Sequence, residues 1–549
     1  MARGVGKQAG YGRKALLASV AAGVAAVLML GVAGAGGAQE QAGFKTAIKP
    51  YLKGLAGYET EPLLSAGDLV PETGVDGQKY QMVGIPDGLG VTRDGQGSIT
   101  RLFMNHELAQ SIQSHPFVNT PVYQRGAFVS EYSMAEDGSI LSGRRAFDTV
   151  YQDDTFVGPA ADTTNTTRAF SRFCSGSMAD SRVGFDRPIY MTGEETSRAT
   201  GATSTDSFSP NGSQTVAIFR NDNGELEAHA LSDFGYFAKE NTLIAPNTGR
   251  KTIAFSTEDG PQTPDSQLYM YVGTKQSTGT VLERNGLVGG KLYVFASNDP
   301  ARNSEATFDN GSLAGHWVEI PKGERENDVE NQAAADAAGA FGFVRIEDGA
   351  FGRQNDEFRF VTTGESADPT VNRLGVNYKL WFEPKMAPED QTPVLSVIYN
   401  ADQLDAAGQD IAFSPDNMDV RGRQEIIQED GTSASRPEME SRNRDGSVWL
   451  VNSSGISSAP GDFPARKRAA ELVGRSEGGR DGIRTTAGIW ESSGVVDATR
   501  FFGDGAFLLD VQAHSPTNPP CPGGATWGPQ CKLETVEDGQ LLFLRPAGD

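Results

Sequence analysis

The chain has 549 residues and a formal net charge of −23, with 66 glycines, 28 prolines, three cysteines and five histidines. Such an acidic chain is a poor nucleic-acid binder, which needs basic surface, and it repels free anions unless bound cations offset the charge. So much glycine and proline points to many turns and few long helices. The sparse histidines argue against a His-rich zinc site, and no HExxH, GxSxG or P-loop pattern occurs.

In chain order, Arg3, Lys7, Arg13 and Lys14 precede an Ala/Val/Leu-rich run from Ala15 to Val32 and the small residues Ala33-Gly34-Ala35-Gly36-Gly37-Ala38. This predicts a cleaved export leader over 1–38, and a periplasmic or extracellular mature protein. No later stretch is long and apolar enough to cross a bilayer. Residues 39–79 read as a lead-in without a clear period, and 80–549 as a single domain.

From Tyr80 onward, short β-prone runs alternate with Gly, Asn and Asp turns. Examples are Leu102-Phe103-Met104, Val216-Ala217-Ile218-Phe219, Leu292-Tyr293-Val294-Phe295 and Val448-Trp449-Leu450-Val451. Their period-two pattern predicts half-buried strands. So many short strands predict an all-β fold, here a degenerate β-propeller with small helical or loop insertions. Helices are predicted over Asn331–Ala340 and Phe463–Leu472, and a polar loop over Gly431–Asp445. Cys521 and Cys531 bracket a Pro/Gly loop, and a disulfide between them would stabilise by about 2–3 kcal/mol.

Pairing of those two leaves Cys174 alone, in Arg172-Phe173-Cys174-Ser175-Gly176, shortly before Gly193-Glu194-Glu195. A thiolate near paired carboxylates suits a metal ligand; a buried small hydrophobe is the alternative. Acidic clusters recur at the ends of β-prone runs: Asn105-His106-Glu107, Glu194-Glu195, Glu258-Asp259-Gly260, Glu347-Asp348-Gly349, Asp416-Asn417 and Glu429-Asp430-Gly431. Strand ends of a propeller converge on its channel, where carboxylates repel one another and a hard cation such as calcium resolves the repulsion. Asp-Gly is also an ordinary turn dipeptide. Arg345 and Glu347 stand two apart, so on a strand they share a face. A guanidinium beside a metal-holding carboxylate suits a phosphate, and an ordinary ion pair has the same spacing.

Taken in order, Asn105-His106-Glu107, Cys174-Ser175-Gly176, Gly193-Glu194-Glu195, Glu258-Asp259-Gly260-Pro261, Arg345-Ile346-Glu347, Ser414-Pro415-Asp416-Asn417 and Gln428-Glu429-Asp430-Gly431 resemble the PhoX-type alkaline phosphatases, from Tyr80 to the C-terminus. The resemblance implies an exported six-bladed propeller that hydrolyses phosphomonoesters with iron and calcium. It makes Cys174 the iron ligand and Glu194, Glu258 and Glu347 metal-bridging carboxylates, with Glu195 in reserve for Glu194. Asp416 and Glu429 would complete calcium sites. Arg345, with Asn105, would contact the substrate phosphate. The family's usual twin-arginine leader is replaced here by Arg13-Lys14.

Two other functions fit the acidic channel. One is a non-catalytic, calcium-stabilised propeller binding a surface partner; the other is a calcium-dependent esterase or lactonase. The primary expectation is a monomer acting on phosphorylated small molecules.

Overall fold

A computed structural model describes residues 43–93, 99–161, 168–196, 206–352, 356–433, 435–453, 464–473, 490–514 and 535–548. The leader over 1–38 and the Cys521–Cys531 pair lie outside the described residues. Within them the chain is all-β, with a few short helices. Among the described residues, no helix is long and apolar enough to cross a membrane.

Most strands pair antiparallel with their neighbours in sequence; the pairing of Thr149–Gln152 with Leu226–Leu231 is parallel. Pro86–Arg93, Thr100–His106, Phe128–Met134 and Ile140–Arg145 make the first sheet. Phe173–Ala179, Ile189–Glu194, Thr215–Arg220 and Leu226–Leu231 lead the second, which Thr149–Gln152 and Thr155–Pro159 extend. A nine-stranded sheet joins two such runs, starting at Lys239–Ile244 and Ile346–Phe351; they meet where Ser312–Ile320 pairs with Val394–Asn400. Pro415–Arg421 begins the next sheet, and Trp490–Asp497 the last.

The opening strands of these runs form a closed cycle. Pro86–Arg93 packs on Phe173–Ala179, then come Lys239–Ile244, Ile346–Phe351, Pro415–Arg421 and Trp490–Asp497, which returns to Pro86–Arg93. These six are called the inner strands below. Apolar clusters fill the wedges between neighbouring runs. One is rich in aromatics: Phe255 stacks on Phe358 with ring centroids 4.7 Å apart and meets Phe382 edge-on at 5.0 Å. Alternation explains this placement, since one face of each sheet serves one wedge and the other face the next.

The segment read as a lead-in is built into the sheets. Tyr58–Ser65 pairs with Asp538–Pro546, and Leu52–Gly54 pairs with Ala465–Leu472. The first helix expected from sequence is found, over Asp328–Ala337, with Asn327 capping it through the Glu330 N–H. The second is not: Ala465–Leu472 is a strand. Its Ala, Arg, Lys and Glu favour a helix, but pairing on both edges, with Ser447–Asn452 and Leu52–Gly54, overrides local propensity. The predicted loop 431–445 contains a short helix, Pro437–Ser441, started by its proline.

Candidate metal centre

The second residue of every inner strand is an acid or the lone thiol. In order they are Asp87, Cys174, Glu240, Glu347, Asp416 and Glu491. The first five are buried and Glu491 is half-buried. Their aim is set by the backbone on either side. Ile85, Arg172, Arg345 and Ser414, each two residues before the donor, hold positive φ of 45–54°. Such backbone costs about 1–3 kcal/mol per residue and persists only where its surroundings impose it. In five of the inner strands the pairing register slips at or just after the donor, and in Trp490–Asp497 it slips between Ser493 and Val495. A bulge of this kind re-aims the side chain next to it.

Two trios have ligand atoms mutually within 4.8 Å: Asp87, Glu107 and Cys174, and Glu240, Glu347 and Asp416. In the first, the Cys174 thiol donates to Asp87 Oδ2 at 3.3 Å. In the second, Glu240 Oε2, Glu347 Oε1 and Asp416 Oδ1 are buried without a hydrogen-bond partner. Burial, then the Glu107 charge, pushes Asp87 up to about 7. Burial and then Asp87 raise both the Cys174 thiol and Glu240. Glu347 is raised by burial and then Asp259, and Asp416 by burial and then Glu347. Glu491 is pushed to about 8 by burial and then Asp430. Carboxylates packed this closely cannot all ionise unless a cation joins them. The donors fit that role. Sulfur with two carboxylates suits a transition metal, and an all-oxygen trio with orphaned lone pairs suits a hard cation.

Polar residues one or two places further along the inner strands form a buried hydrogen-bonded layer next to the acids. Asn417 Nδ2 donates to Ser175 Oγ at 2.7 Å, Ser493 Oγ donates to Asn417 Oδ1 at 3.0 Å, and Asn241 Nδ2 donates to Asp348 Oδ1 at 2.6 Å. Ser175 in turn donates to Glu240. Two guanidinia stand beside the acids. Arg172 pairs with Glu107 and Glu195, each at 2.7 Å. Arg345 forks onto Asp259 at 2.9 and 3.1 Å and lies 3.5 Å from Glu347 Oε1 and 3.3 Å from Glu365.

The ring therefore includes Cys174, Glu347 and Asp416 from the sequence reading, with Arg345 beside it. Glu194, Glu258 and Glu429 stand one strand further out. Each ends the second strand of its sheet, opposite the first residue of the inner strand: Phe173, Lys239 and Pro415 respectively. There they anchor backbone. Glu194 accepts from the Ser171 N–H at 3.0 Å, and Glu258 from that of Gln267 at 2.9 Å. Glu429 accepts from the N–H groups of Phe413 and Ser447 and takes both Arg444 Nη atoms, at 2.7 and 2.9 Å. Its oxygens are thus taken up by a buried ion pair. Glu429→Gln is expected to lower stability by about 1–3 kcal/mol, because Arg444 loses one of its two carboxylate partners and keeps Asp410 at 3.0 Å, while metal content stays unchanged. Urea unfolding with elemental analysis checks both.

Glu195 serves Arg172, as above. Asn105 is fully buried; its Nδ2 donates to the Cys174 and Ser175 carbonyls and Thr192 Oγ1, and its Oδ1 accepts from Tyr190. It fixes the Cys174 backbone and has no open face for substrate. Asp87, Glu240 and Glu491 were missed as donors. Their signal was positional, the second place of an inner strand, and it becomes visible only when the strand starts are aligned.

Residues 218–477 match the family model described as Alkaline phosphatase PhoX. The structure of Pseudomonas fluorescens PhoX in complex with vanadate, a transition state analogue, is similar with a TM-score of 0.59 at 12% identity, over 92% of this chain and 97% of that one. The WD40 domain of SCAP from fission yeast (9% identity, 90% of this chain and 99% of that one) and the NanB sialidase from Streptococcus pneumoniae (8%, 87% and 70%) reach TM-scores of only 0.28. No curated protein matches. Residues 218–477 thus carry the sequence pattern of the PhoX alkaline phosphatase family, and the chain around them takes the fold of a PhoX structure.

Proposed function

We propose that the protein is an exported, metal-dependent phosphatase of phosphomonoesters, built as a six-bladed propeller. The closed cycle of six inner strands supports the architecture, with 1–38 as leader and the strands of 52–65 included in the propeller. The observation that carries the activity is the ring of buried acids and one thiol, with orphaned carboxylate oxygens, beside two guanidinia in a chain whose residues 218–477 match PhoX.

Cys174, Asp87 and Glu107 would hold iron, since a thiolate selects a transition metal; Glu240, Glu347 and Asp416 would hold calcium, with Glu491 at their side. Bound cations supply Lewis-acid stabilisation of the phosphoryl oxygens. Alone, the ring repels a phosphate. Asp259 takes up the Nε/Nη2 edge of Arg345 and fixes the guanidinium, so a phosphoryl oxygen would be met by the Nη1/Nη2 edge, which Glu365 and Glu347 border at 3.3 and 3.5 Å. Arg172, locked by Glu107 and Glu195, adds a second positive charge beside the ring. Both act as fixed charges where negative charge gathers in the transition state. The buried hydrogen bonds next to the ring hold the donors still.

The test is turnover of p-nitrophenyl phosphate at alkaline pH with metal analysis. Arg345→Ala is expected to lose about a hundredfold or more in kcat, and Cys174→Ala to lose iron and activity together. Turnover that survives both chelation and Cys174→Ala would overturn the reading. Calcium without iron and without turnover would favour the non-catalytic propeller.

A further inference from the structure

The inner strand Pro86–Arg93 has Asp87 of the acid ring at one end and Arg93 at the other, about 20 Å away at ~3.3 Å per residue. There the charge reverses. A cavity of about 330 Å³ is lined by Arg93, Arg101, Arg187 and Arg220, and by one carboxylate, Glu131. Glu131 is only 3% exposed and is shared by three guanidinia: Arg101, Arg144 at 2.6 Å and Arg220 at 3.9 Å. Arg187 is balanced by Asp186 and Asp222. Arg93 forms no ion pair among the described residues; it reaches the Arg500 carbonyl at 3.5 Å and lies 5.8 Å from the Phe501 ring. The positive charge of Arg93 and Arg220 is therefore not fully met by the protein, although the whole chain carries −23.

Much of the remaining wall is apolar, formed by Phe103, Ile218, Phe219 and Leu226. A second cavity of about 290 Å³ adjoins through Thr92, Arg93, Arg187 and Pro188 and adds Arg500 and Phe501, together with Asp180 and Asp186. Small-molecule sites combine these elements: an apolar wall of a few hundred Å³ with a few charged groups that orient the ligand.

We propose that this cavity binds a small amphiphilic anion. A short alkyl or aryl group lies on Phe103, Ile218 and Leu226, and a sulfate, carboxylate or phosphate head meets Arg93 and Arg220. Guanidinium groups suit such heads because two N–H groups reach two oxygens at once. The site is separate from the acid ring and does not depend on the phosphatase reading.

Hexyl sulfate, which contains no phosphoester, is the probe, titrated calorimetrically into the metal-loaded protein. One-to-one binding is expected, falling with added salt and weakened at least tenfold in Arg93→Ala/Arg220→Ala. Hexyl glucoside, which has no charge, is expected not to bind. Arg93 is exposed and Arg220 half-buried, so the variant keeps its fold, and its p-nitrophenyl phosphate turnover stays that of the wild type. Three results would overturn the assignment: no binding by the wild type, unchanged affinity in the double variant, or equal affinity for hexyl glucoside.

Discussion

Chelation of the purified protein is expected to destabilise it by about 4 kcal/mol for each cation that had been held at a thousand times its Kd. The size follows from the ring. Glu240, Glu347 and Asp416 crowd within 4.8 Å, and one buried oxygen of each, three in all, has no hydrogen-bond partner. Without a cation, the folded state keeps these groups protonated or tolerates their repulsion. Glu240→Gln with Asp416→Asn removes two charges and two donors. The double variant is expected to unfold at the same urea concentration with and without a calcium-selective chelator, while the wild type separates clearly between the two. A wild-type protein indifferent to both chelation and added calcium would remove the metal centre from consideration.

Stability is expected to depend on pH with opposite signs in the cation-free and cation-loaded protein. Asp87 is raised to about 7 and Glu491 to about 8, from ordinary values near 4. A folded-state value above the unfolded one means that the native state binds more protons. Its contribution is complete below pH of about 4 and is lost as pH rises through about 7 and 8. Each such acid costs the cation-free protein up to about 1.4 kcal/mol per pH unit within that window. A bound cation inverts this, because it favours the ionised carboxylates in the native state alone; stability then rises with pH. Urea midpoints at pH 5 and pH 8, with chelator and with calcium, give the four values needed. Two parallel trends would contradict the argument.

The strands were legible because a half-buried strand announces itself locally, through alternation and the glycine or asparagine that ends it. Cys174, Glu347 and Asp416 were legible for the same reason: each stands beside a turn at the edge of an apolar run. What local signals could not distinguish is which strand an acid belongs to. Asp416 and Glu429 both flank turn residues, yet one faces the ring and the other accepts two Arg444 hydrogen bonds a strand away. The choice is made by sheet closure, which brings together residues from 87 to 491. Glu240 shows the limit. It follows a lysine and precedes an asparagine with no turn dipeptide nearby, so nothing local set it apart. The strand at Ala465–Leu472 was misread for a related reason: its helical composition yields to partners that are distant in sequence.

The pairing of Tyr58–Ser65 with Asp538–Pro546 has a consequence for the order of events in the life of the chain. The last sheet cannot be finished until residues near 540 have left the ribosome and found a strand made near the beginning. Until then Glu491 and Asp87 have no fixed relation, and the ring stays open on one side. Contacts of such long sequence separation form slowly. The donors thus reach their final positions only in the completed, folded molecule. In the proposed exported metalloenzyme, whichever compartment hosts that last pairing would also set the pool of ions from which the centre is filled, so the timing of translocation, rather than ligand affinity alone, would govern what the ring contains.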